Sequence, residues 1–513
     1  MQSPGVQDPV YRYWGWFWCC WFVAQLSFLT TLHLPYQGEE AVYTLTSMEM
    51  AFHGDWISPT LYGANYGRPP LYNWLMIPLA QTLGWDQVLV AARCITALAT
   101  LGTSLVLIAL VQRLSKDRTL ALLSALAYMS ADVLFRRGWL AYSDPLFAFF
   151  SFSALAAAWI ALEEQRLVWM IPAMFCLIAS FLTKAFTGYI FYALGMFVLL
   201  LRHPNRAFLW RWPMIAAHAT ALLFLVCWHF QLSQGTHATG MVRDIANKWA
   251  WPGLGSYLLG LLSYPLETWF RWLPLSAVLF LPSLIAHVQQ SSDAHHLPGS
   301  PEIVQTAQHS QQKSYTAAWQ VLCKNPWFSS LILILILNYL PYWLSPHKHI
   351  RYLMPLYPLI AWALAYILQT TLMQPKMQMA TNIRSMRPSI KIMMGIFAVI
   401  VILRYGLGLF WFPYYQKHYR GDYQAIAQDV LKIAENKPVY SNDTQSIGLS
   451  VSACVDSLIM PQHIVQYPPS DLSTLDGVLI STIAAQPPLQ LRQTYLLGSK
   501  KLYLFCGGAA CGD

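Results

Sequence analysis

Charged residues stand at the ends of apolar segments, and their side-chain types suit chemistry at a membrane surface. Glu39 and Glu40 follow an apolar run that ends near Pro35, and Ser143-Asp144-Pro145 opens a later apolar run. A carboxylate at such a boundary can act as a general base on an acceptor hydroxyl, or it can orient a cationic acceptor. Because charge beside hydrocarbon is costly, these positions are candidates for function.

Each of these carboxylates also has a purely structural interpretation. Glu39 and Glu40 directly precede a segment that begins at Ala41, and acidic residues stabilise the first turn of a helix. Ser143-Asp144-Pro145 predicts a helix start, with Asp144 as the cap and Pro145 at the first helical position. Residue types and spacing alone leave both interpretations open.

Basic residues in the predicted outer loops form a second candidate group. The predicted inner segments, such as 112–118 and 202–211, are basic, as the positive-inside rule requires. The basic residues in the predicted outer loops break that rule. Arg binds phosphate through two parallel hydrogen bonds and Lys acts as a point charge, so the set could hold a lipid phosphate. Snorkelling to lipid headgroups is the alternative for any single member. The outer basic residues are Arg68, Arg136, Arg137, Lys184, Arg243, Lys248, Lys348 and Arg351.

The composition indicates that membrane-spanning helices must position these side chains. Of the 513 residues, 56% are hydrophobic and only 11% are charged, whereas about a quarter are charged in soluble proteins. Apolar runs near the length of a membrane span recur from Trp14 to Trp411 and predict about eleven transmembrane helices. The 22 tryptophans and 28 tyrosines suit aromatic belts at both membrane interfaces. The sequence therefore predicts a mainly α, polytopic membrane domain over residues 1–412.

Loop charges predict the orientation of this domain. With the N terminus in the cytoplasm, residues 35–85 form the first periplasmic loop, and 136–143, the turn near Lys184, 345–351 and the tail lie on the same side. The first apolar run has no small-residue cleavage site, so we expect it to be retained as an anchor. The formal net charge of +9 is largely explained by the cytoplasmic loops and calls for no nucleic-acid partner.

Residues 413–513 have the composition of a small soluble α/β domain, which at about 100 residues is long enough to form a core. Residues 423–431 place apolar side chains at helical spacing and predict an amphipathic helix. Three short apolar runs at 437–441, 477–481 and 501–505 predict strands. The polar stretch 290–325, rich in Gln, Ser and His, predicts a loop with little fixed structure.

The cysteines and glycines give no sign of a metal or nucleotide cofactor. In the tail, Cys506 could pair with Cys511, or Cys454 could pair with either, and one thiol would remain. The other cysteines lie in or beside apolar runs and are expected to be small buried hydrophobes. We expect no metal site and no cofactor, because the sequence has neither a Gly-rich phosphate loop nor an Asp-x-Asp pair.

Four short motifs follow one another in the first predicted outer loop. They are Glu39-Glu40-Ala41-Val42-Tyr43, Met48-Glu49-Met50, His53-Gly54-Asp55-Trp56-Ile57 and Gly67-Arg68-Pro69-Pro70-Leu71-Tyr72-Asn73-Trp74. In order and spacing they resemble the loop of GT-C glycosyltransferases related to aminoarabinose transferases and protein mannosyltransferases. The resemblance continues at Arg93, Asp144-Pro145-Leu146, 181–184 and 348–358, and thus covers most of residues 10–370.

The resemblance implies transfer of a sugar from a polyprenyl phosphate carrier to an acceptor, with inversion at the anomeric carbon. The acceptor would be lipid A, lipopolysaccharide, another glycan or a protein, and the reaction would take place outside the inner membrane. Glu39 takes the place of the family's catalytic acidic residue, although most members have Asp-Glu where this chain has Glu39-Glu40. Asp144 matches the acidic residue that opens the fourth span.

The same resemblance suggests substrate-binding residues. Arg68 stands where many family members have a Lys close to the carrier phosphate, and Arg keeps that charge. Lys184, Lys348 and Arg351 match basic positions on the same face, and the motif residues Tyr43 and Tyr72 are expected to contact substrate. A lipid or glycolipid transporter is the alternative function, but it predicts internal repeats and broken helices at the bilayer midplane. No convincing repeat is present in the sequence.

Overall fold

The computed structural model describes residues 14–233, 253–273, 275–280, 325–373 and 386–511. Two of the predicted outer basic residues, Arg243 and Lys248, lie outside the described residues. So do nearly all of the predicted loop 290–325 and most of the basic segment 376–391.

Most of the described chain is helical. The first four helices in chain order are α1 (Trp14–Leu26), α2 (Glu40–His53), α3 (Leu71–Leu83) and α4 (Val88–Ser115). The next six are α5 (Arg118–Met129), α6 (Asp132–Arg137), α7 (Ser143–Glu164), α8 (Met170–Lys184), α9 (Thr187–Arg202) and α10 (Trp212–Ser233). The last four before the tail are α11 (Leu254–Phe270), α12 (Pro326–Leu344), α13 (Tyr357–Met373) and α14 (Met386–Gly406).

Six helical segments among the described residues are long and apolar enough to cross a membrane, as judged by length and composition. They are Trp85–Ser115, Ser143–Glu164, Leu167–Lys184, Pro326–Leu344, Ile350–Thr370 and Met394–Ala434. The chain is therefore a multi-span membrane protein. The predicted number of about eleven spans is not confirmed, because other apolar helices, such as Arg118–Met129, are shorter than a typical span.

The core of the membrane part is built around α7, which is the most deeply buried of these segments. Helix α7 packs against α4, α8 and α9, and α5 packs against α4 and α13. At one end of this bundle Trp362 stacks on Trp327, with ring centroids 4.9 Å apart, and is tilted against Trp159, with centroids 5.6 Å apart. The opposite end of α7 begins at Ser143, where the predicted site residues are found.

The first loop is an ordered segment attached to α2. Helix α2 ends at His53 and is capped by Gly54, which has a left-handed φ of 71° and whose N–H donates to the carbonyl of Met50. Beyond it, strands β1 (Thr60–Leu61) and β2 (Ala64–Asn65) form a small antiparallel hairpin. The buried carboxylate of Glu49 fixes this hairpin by accepting hydrogen bonds from the Thr60 hydroxyl and from the N–H groups of Tyr62 and Gly63.

The tail contains the predicted α/β elements and several more. After helix α15 (Phe412–Tyr419), the predicted amphipathic helix is present as α16 (Tyr423–Ala434). Helix α17 (Ser446–Ile459) connects the first two strands of the sheet. The sheet contains β3 (Val439–Ser441), β4 (Gly477–Ser481), β5 (Gln490–Leu497) and β6 (Lys500–Gly507), in the order β3-β4-β6-β5.

The sheet is mixed, and one disulfide closes its last segment. Strands β3 and β4 are parallel, whereas β6 is antiparallel to both of its neighbours. Cys506 is bonded to Cys511, which confirms one of the predicted pairings, and Cys454 is a buried free thiol. The tail contacts the rest of the chain through α17, which packs along α2. Helix α2 therefore contacts the tail and also begins at Glu40, in the region of the predicted site.

Candidate functional site

A cavity of about 290 Å³ lies at the end of the bundle where α7 begins. Its wall combines a charged end with a long apolar side. The charged and polar lining includes Tyr43, Arg68, Asp144, Thr183, Lys184, Asn338, Ser345, His347 and Arg351. The apolar side is lined by Phe147, Phe186, Ile190, Phe191, Leu194, Pro341 and Tyr342. Three predicted outer segments (35–85, the turn near Lys184 and 345–351) thus meet the start of α7 at one site.

Arg68 reaches the cavity from the loop between β2 and α3. One of its guanidinium nitrogens donates a 2.6 Å hydrogen bond to the hydroxyl of Tyr43, and the group lies 5.0 Å from the centre of the Tyr66 ring. The pKa of Arg68 is raised above its ordinary value, mainly by the electrostatic interaction of the guanidinium with Tyr43. Arg68 therefore remains a cation on the cavity wall.

Asp144 and Lys184 form an ion pair across the cavity. Asp144 lies in the first turn of α7 and is almost fully buried, while Lys184 is the last residue of α8. The Lys184 ammonium also lies 4.5 Å from the centre of the Tyr352 ring. The prediction that Asp144 caps α7 is wrong, because the N-cap is Tyr142 and makes no side-chain capping bond. The carboxylate of Asp144 is directed to Lys184 instead.

Glu39 does not line the cavity but is paired with Arg351, which does, and its half-exposed position is here called the cavity mouth. The guanidinium approaches the carboxylate with two nitrogens, at 3.1 and 3.4 Å, and the Glu39 side chain is 49% exposed. The Glu39 N–H donates to the hydroxyl of Tyr142 at 3.0 Å. Gly38, at a left-handed φ of 62°, permits this approach, since a Cβ there would collide with the Tyr142 hydroxyl.

Glu40 lies outside the cavity, and its side chain is fully buried. Its carboxylate forms an ion pair with Arg93 of α4, with contacts of 2.6 and 2.9 Å, and accepts the N–H groups of Gln37 and Ala141. Arg93 in turn donates to the backbone carbonyls of Thr31, Leu32, Leu34 and Pro35. Every oxygen of Glu40 is thus engaged in holding the first loop against the bundle.

Two of the other predicted binding residues support the cavity without lining it. The Tyr72 hydroxyl bonds the carbonyl of Ala92, and its ring packs edge-on against Tyr43 at 5.4 Å. The Lys348 ammonium donates to the carbonyl of Ser345 and lies over the Tyr257 ring. The structure therefore brings Tyr43, Arg68, Asp144, Lys184 and Arg351 to the cavity, and Glu39 to its mouth.

Some residues that line the cavity are not among the site residues predicted from the sequence. Asn338 of α12 is buried and lines the cavity, as do His347 and Tyr352. A polar amide within the apolar run of α12 was a usable signal, because such residues inside membrane helices are rare. His347 lies in the loop after α12, whereas Tyr352 lies within the matching stretch 348–358, next to Arg351, in the helical turn Ile350–Leu356. Among the described residues no group of His, Cys, Asp and Glu is arranged to hold a metal ion.

Comparison with known proteins gives matches over both halves of the chain. The family model for dolichyl-phosphate-mannose-protein mannosyltransferases matches residues 16–237, and that for the Alg9-like mannosyltransferase family matches residues 272–444. An undecaprenyl phosphate-alpha-4-amino-4-deoxy-L-arabinose arabinosyl transferase of Pseudomonas paraeruginosa is 29% identical over 48% of this chain and 44% of its own length. One from Pseudomonas fluorescens is 34% identical over 30% of this chain and 28% of its own length.

These sequence matches span less than half the length of either curated relative. The similarity in structure extends much further. The crystal structure of ArnT from Cupriavidus metallidurans bound to undecaprenyl phosphate matches with a TM-score of 0.65, covering 98% of this chain and all of the other, at 14% identity. The chain therefore has the GT-C fold and is related to the aminoarabinose transferases.

Proposed function

We propose that this protein transfers a sugar from a polyprenyl phosphate carrier to an envelope acceptor such as lipid A, lipopolysaccharide, another glycan or a protein. The observation that carries the proposal is the cavity, whose lining combines three cations with an apolar side. A polyprenyl phosphate likewise combines a charged phosphate with an apolar hydrocarbon chain. The relatedness to undecaprenyl phosphate aminoarabinose transferases supports the same class of donor.

Arg68, Lys184 and Arg351 are the residues that would hold the donor phosphate. Arg68 and Arg351 offer paired N–H donors, and Lys184 adds a point charge at the cavity wall. The side chains of Ile190, Phe191 and Leu194 on α9 would contact the first prenyl units. The cations stabilise the charge that develops on the phosphate as the sugar departs.

The reaction needs one proton acceptor and one leaving group. The acceptor oxygen attacks the anomeric carbon, the bond from that carbon to the phosphate oxygen breaks, and its electron pair leaves with the phosphate. Glu39, which is accessible at the cavity mouth, takes the proton from the acceptor hydroxyl. Asp144 holds Lys184 in place and faces the region where the sugar hydroxyls would lie. No soluble nucleotide or metal cofactor enters this scheme.

The proposed location is the bacterial inner membrane, with the cavity and residues 413–513 on the periplasmic side. Loop charge supports this orientation, since the inner segments 112–118 and 202–211 are basic. A tag at Asp513 should be labelled from the periplasm, whereas a tag within 376–391 should not. Asp513 and residues 376–385 lie outside the described residues. A cytoplasmic Asp513 would put the cavity on the wrong side for a periplasmic acceptor.

Two experiments test the function. First, mass spectrometry of envelope glycolipids and glycoproteins from a deletion strain should show one sugar mass missing from one acceptor class. Second, purified protein in lipid nanodiscs should transfer that sugar from its undecaprenyl phosphate carrier and release undecaprenyl phosphate. The Glu39→Gln variant serves as the matched control for transfer. Movement of the lipid across vesicles without product formation would instead indicate a transporter.

A further inference from the structure

Arg351 occupies a position between the cavity and its mouth. It lines the cavity, yet both of its terminal nitrogens point to the Glu39 carboxylate, which is not part of the lining. Its Nε is buried and has no hydrogen-bond partner among the described residues. The guanidinium thus has spare donor capacity beside the phosphate position of the proposed function, on which this inference rests.

The Glu39–Arg351 ion pair is more exposed to solvent than the Asp144–Lys184 ion pair and is therefore held less firmly. The Asp144 side chain is only 6% exposed in its pair with Lys184, whereas the Glu39 side chain is 49% exposed. Exposed ion pairs contribute little to stability because water screens them and because two flexible side chains must be ordered. A lipid phosphate offers Arg351 a bidentate partner inside the cavity, and the Arg351 side chain is itself only 16% exposed.

We propose that the donor phosphate and the Glu39 carboxylate compete for Arg351, so that binding of the donor frees Glu39. Without donor, Arg351 neutralises Glu39 and holds it at the mouth. With donor, the guanidinium turns to the phosphate, and the carboxylate becomes free to accept the proton of the acceptor hydroxyl. The donor therefore binds before the acceptor is activated, and Arg351 links the two events.

The test is a double-mutant cycle on the binding of undecaprenyl phosphate to full-length protein in nanodiscs. Glu39→Gln should bind undecaprenyl phosphate roughly threefold to fivefold more tightly than the wild type, a factor typical of a lost exposed ion pair. Arg351→Gln should bind it more weakly. In the Arg351→Gln background, the addition of Glu39→Gln should change the Kd by less than about twofold, because the competition no longer exists.

Glu267→Gln is the matched control. Glu267 is 48% exposed and is also paired with an arginine, Arg271, so its replacement removes a similar charge without touching Arg351. It should leave the Kd unchanged. Thermal unfolding of each variant in the same nanodiscs verifies that all of them are folded.

The outcomes separate this inference from the proposed function. A wild-type protein that binds no undecaprenyl phosphate overturns the proposed function and the competition together. If the wild type binds but Glu39→Gln does not bind more tightly, the competition is absent and only this inference is wrong. If Glu39→Gln tightens binding equally in both backgrounds, the effect is general electrostatic repulsion, and this inference is again overturned.

Discussion

Glu39 and Glu40 are neighbours of the same residue type, yet the structure gives them opposite surroundings. Glu40 is fully buried against Arg93, and all of its oxygens are engaged within the protein. Glu39 is half exposed at the cavity mouth, and its partner Arg351 lies 312 positions along the chain. The comparison shows that tertiary partners, rather than residue type or position, determine which carboxylate is available for chemistry.

The largest expected effect is on stability and comes from Glu40, the buried carboxylate. Glu40→Gln should destabilise the protein by about 3–5 kcal/mol, because it leaves the Arg93 guanidinium buried without a counter-charge. The matched control is Glu39→Gln, which should change stability by about 1 kcal/mol or less, since the pair at the mouth is exposed. Thermal unfolding in nanodiscs measures both. Equal stability of the two variants would mean that the Glu40–Arg93 pair does not support the first loop.

The next effect is on activity and concerns the exposed carboxylate. Glu39→Gln should lower the rate of sugar transfer by roughly a hundredfold or more, the scale of a lost general base. Glu39→Asp should retain more activity than Glu39→Gln, because a carboxylate remains at the mouth. Transfer kinetics with purified, folded variants provide the measurement. Normal activity of Glu39→Gln would move the acidic centre to Asp144.

The sequence predicts both carboxylates as candidates but cannot distinguish their roles. It places Glu39 and Glu40 together at a membrane boundary, and helix-start rules apply equally to both. The partners that separate them, Arg93 and Arg351, come from distant helical segments. The predicted cap role of Asp144 failed for the same reason, because Lys184 of another helix provides a stronger partner than the local backbone. Local rules do not include such long-range contacts.

In the tail, too, the sequence predicts only part of the secondary structure. Buried strands such as β4 are short apolar runs, and the sequence predicts them. Strand β5 was missed because most of its side chains are exposed, so it has no alternating apolar pattern. It lies at the edge of the sheet, where hydrogen bonding to β6 rather than burial maintains it. The disulfide was one of several pairings that the spacing allowed, and the structure selects Cys506–Cys511.

A smaller effect is expected from a cation that does not contact Glu39 directly. Arg68→Ala should raise the KM for the lipid donor by about tenfold or more, since a hydrogen bond to a charged group contributes about 1.5–3 kcal/mol. Arg68→Lys should lie between the wild type and Arg68→Ala, because the charge remains and the second donor is lost.

The control for Arg68 is Tyr43→Phe, which removes the hydroxyl that accepts the 2.6 Å bond from Arg68. It should raise the donor KM less than Arg68→Ala, because the cation stays on the wall. Donor titrations at saturating acceptor measure all three variants. If Arg68→Ala has a normal KM, Arg68 anchors the loop and does not bind the donor.

The smallest expected effect concerns residues 141 and 142, which contact the backbone of Glu39 and the carboxylate of Glu40. Ala141 donates its N–H to Glu40, and the neighbouring Tyr142 hydroxyl accepts the N–H of Glu39 and donates to the carbonyl of Gln37. Burial raises the pKa of Tyr142 to about 12, so the hydroxyl keeps its proton and both bonds persist throughout the neutral range. Tyr142→Phe should cost about 0.5–1.5 kcal/mol of stability.

The effect of Tyr142→Phe on transfer should be a loss of a few-fold in kcat, because the backbone of Glu39 is less firmly positioned while its carboxylate remains. Its pH profile between 6 and 10 should have the same shape as that of the wild type, since a phenol with a pKa of about 12 does not titrate in this range. A loss as large as that of Glu39→Gln would mean that Tyr142 contacts the substrate itself. A wild-type rate would mean that the contact of Arg351 with the side chain suffices to position Glu39, and that the loop 138–142 serves Glu40 alone.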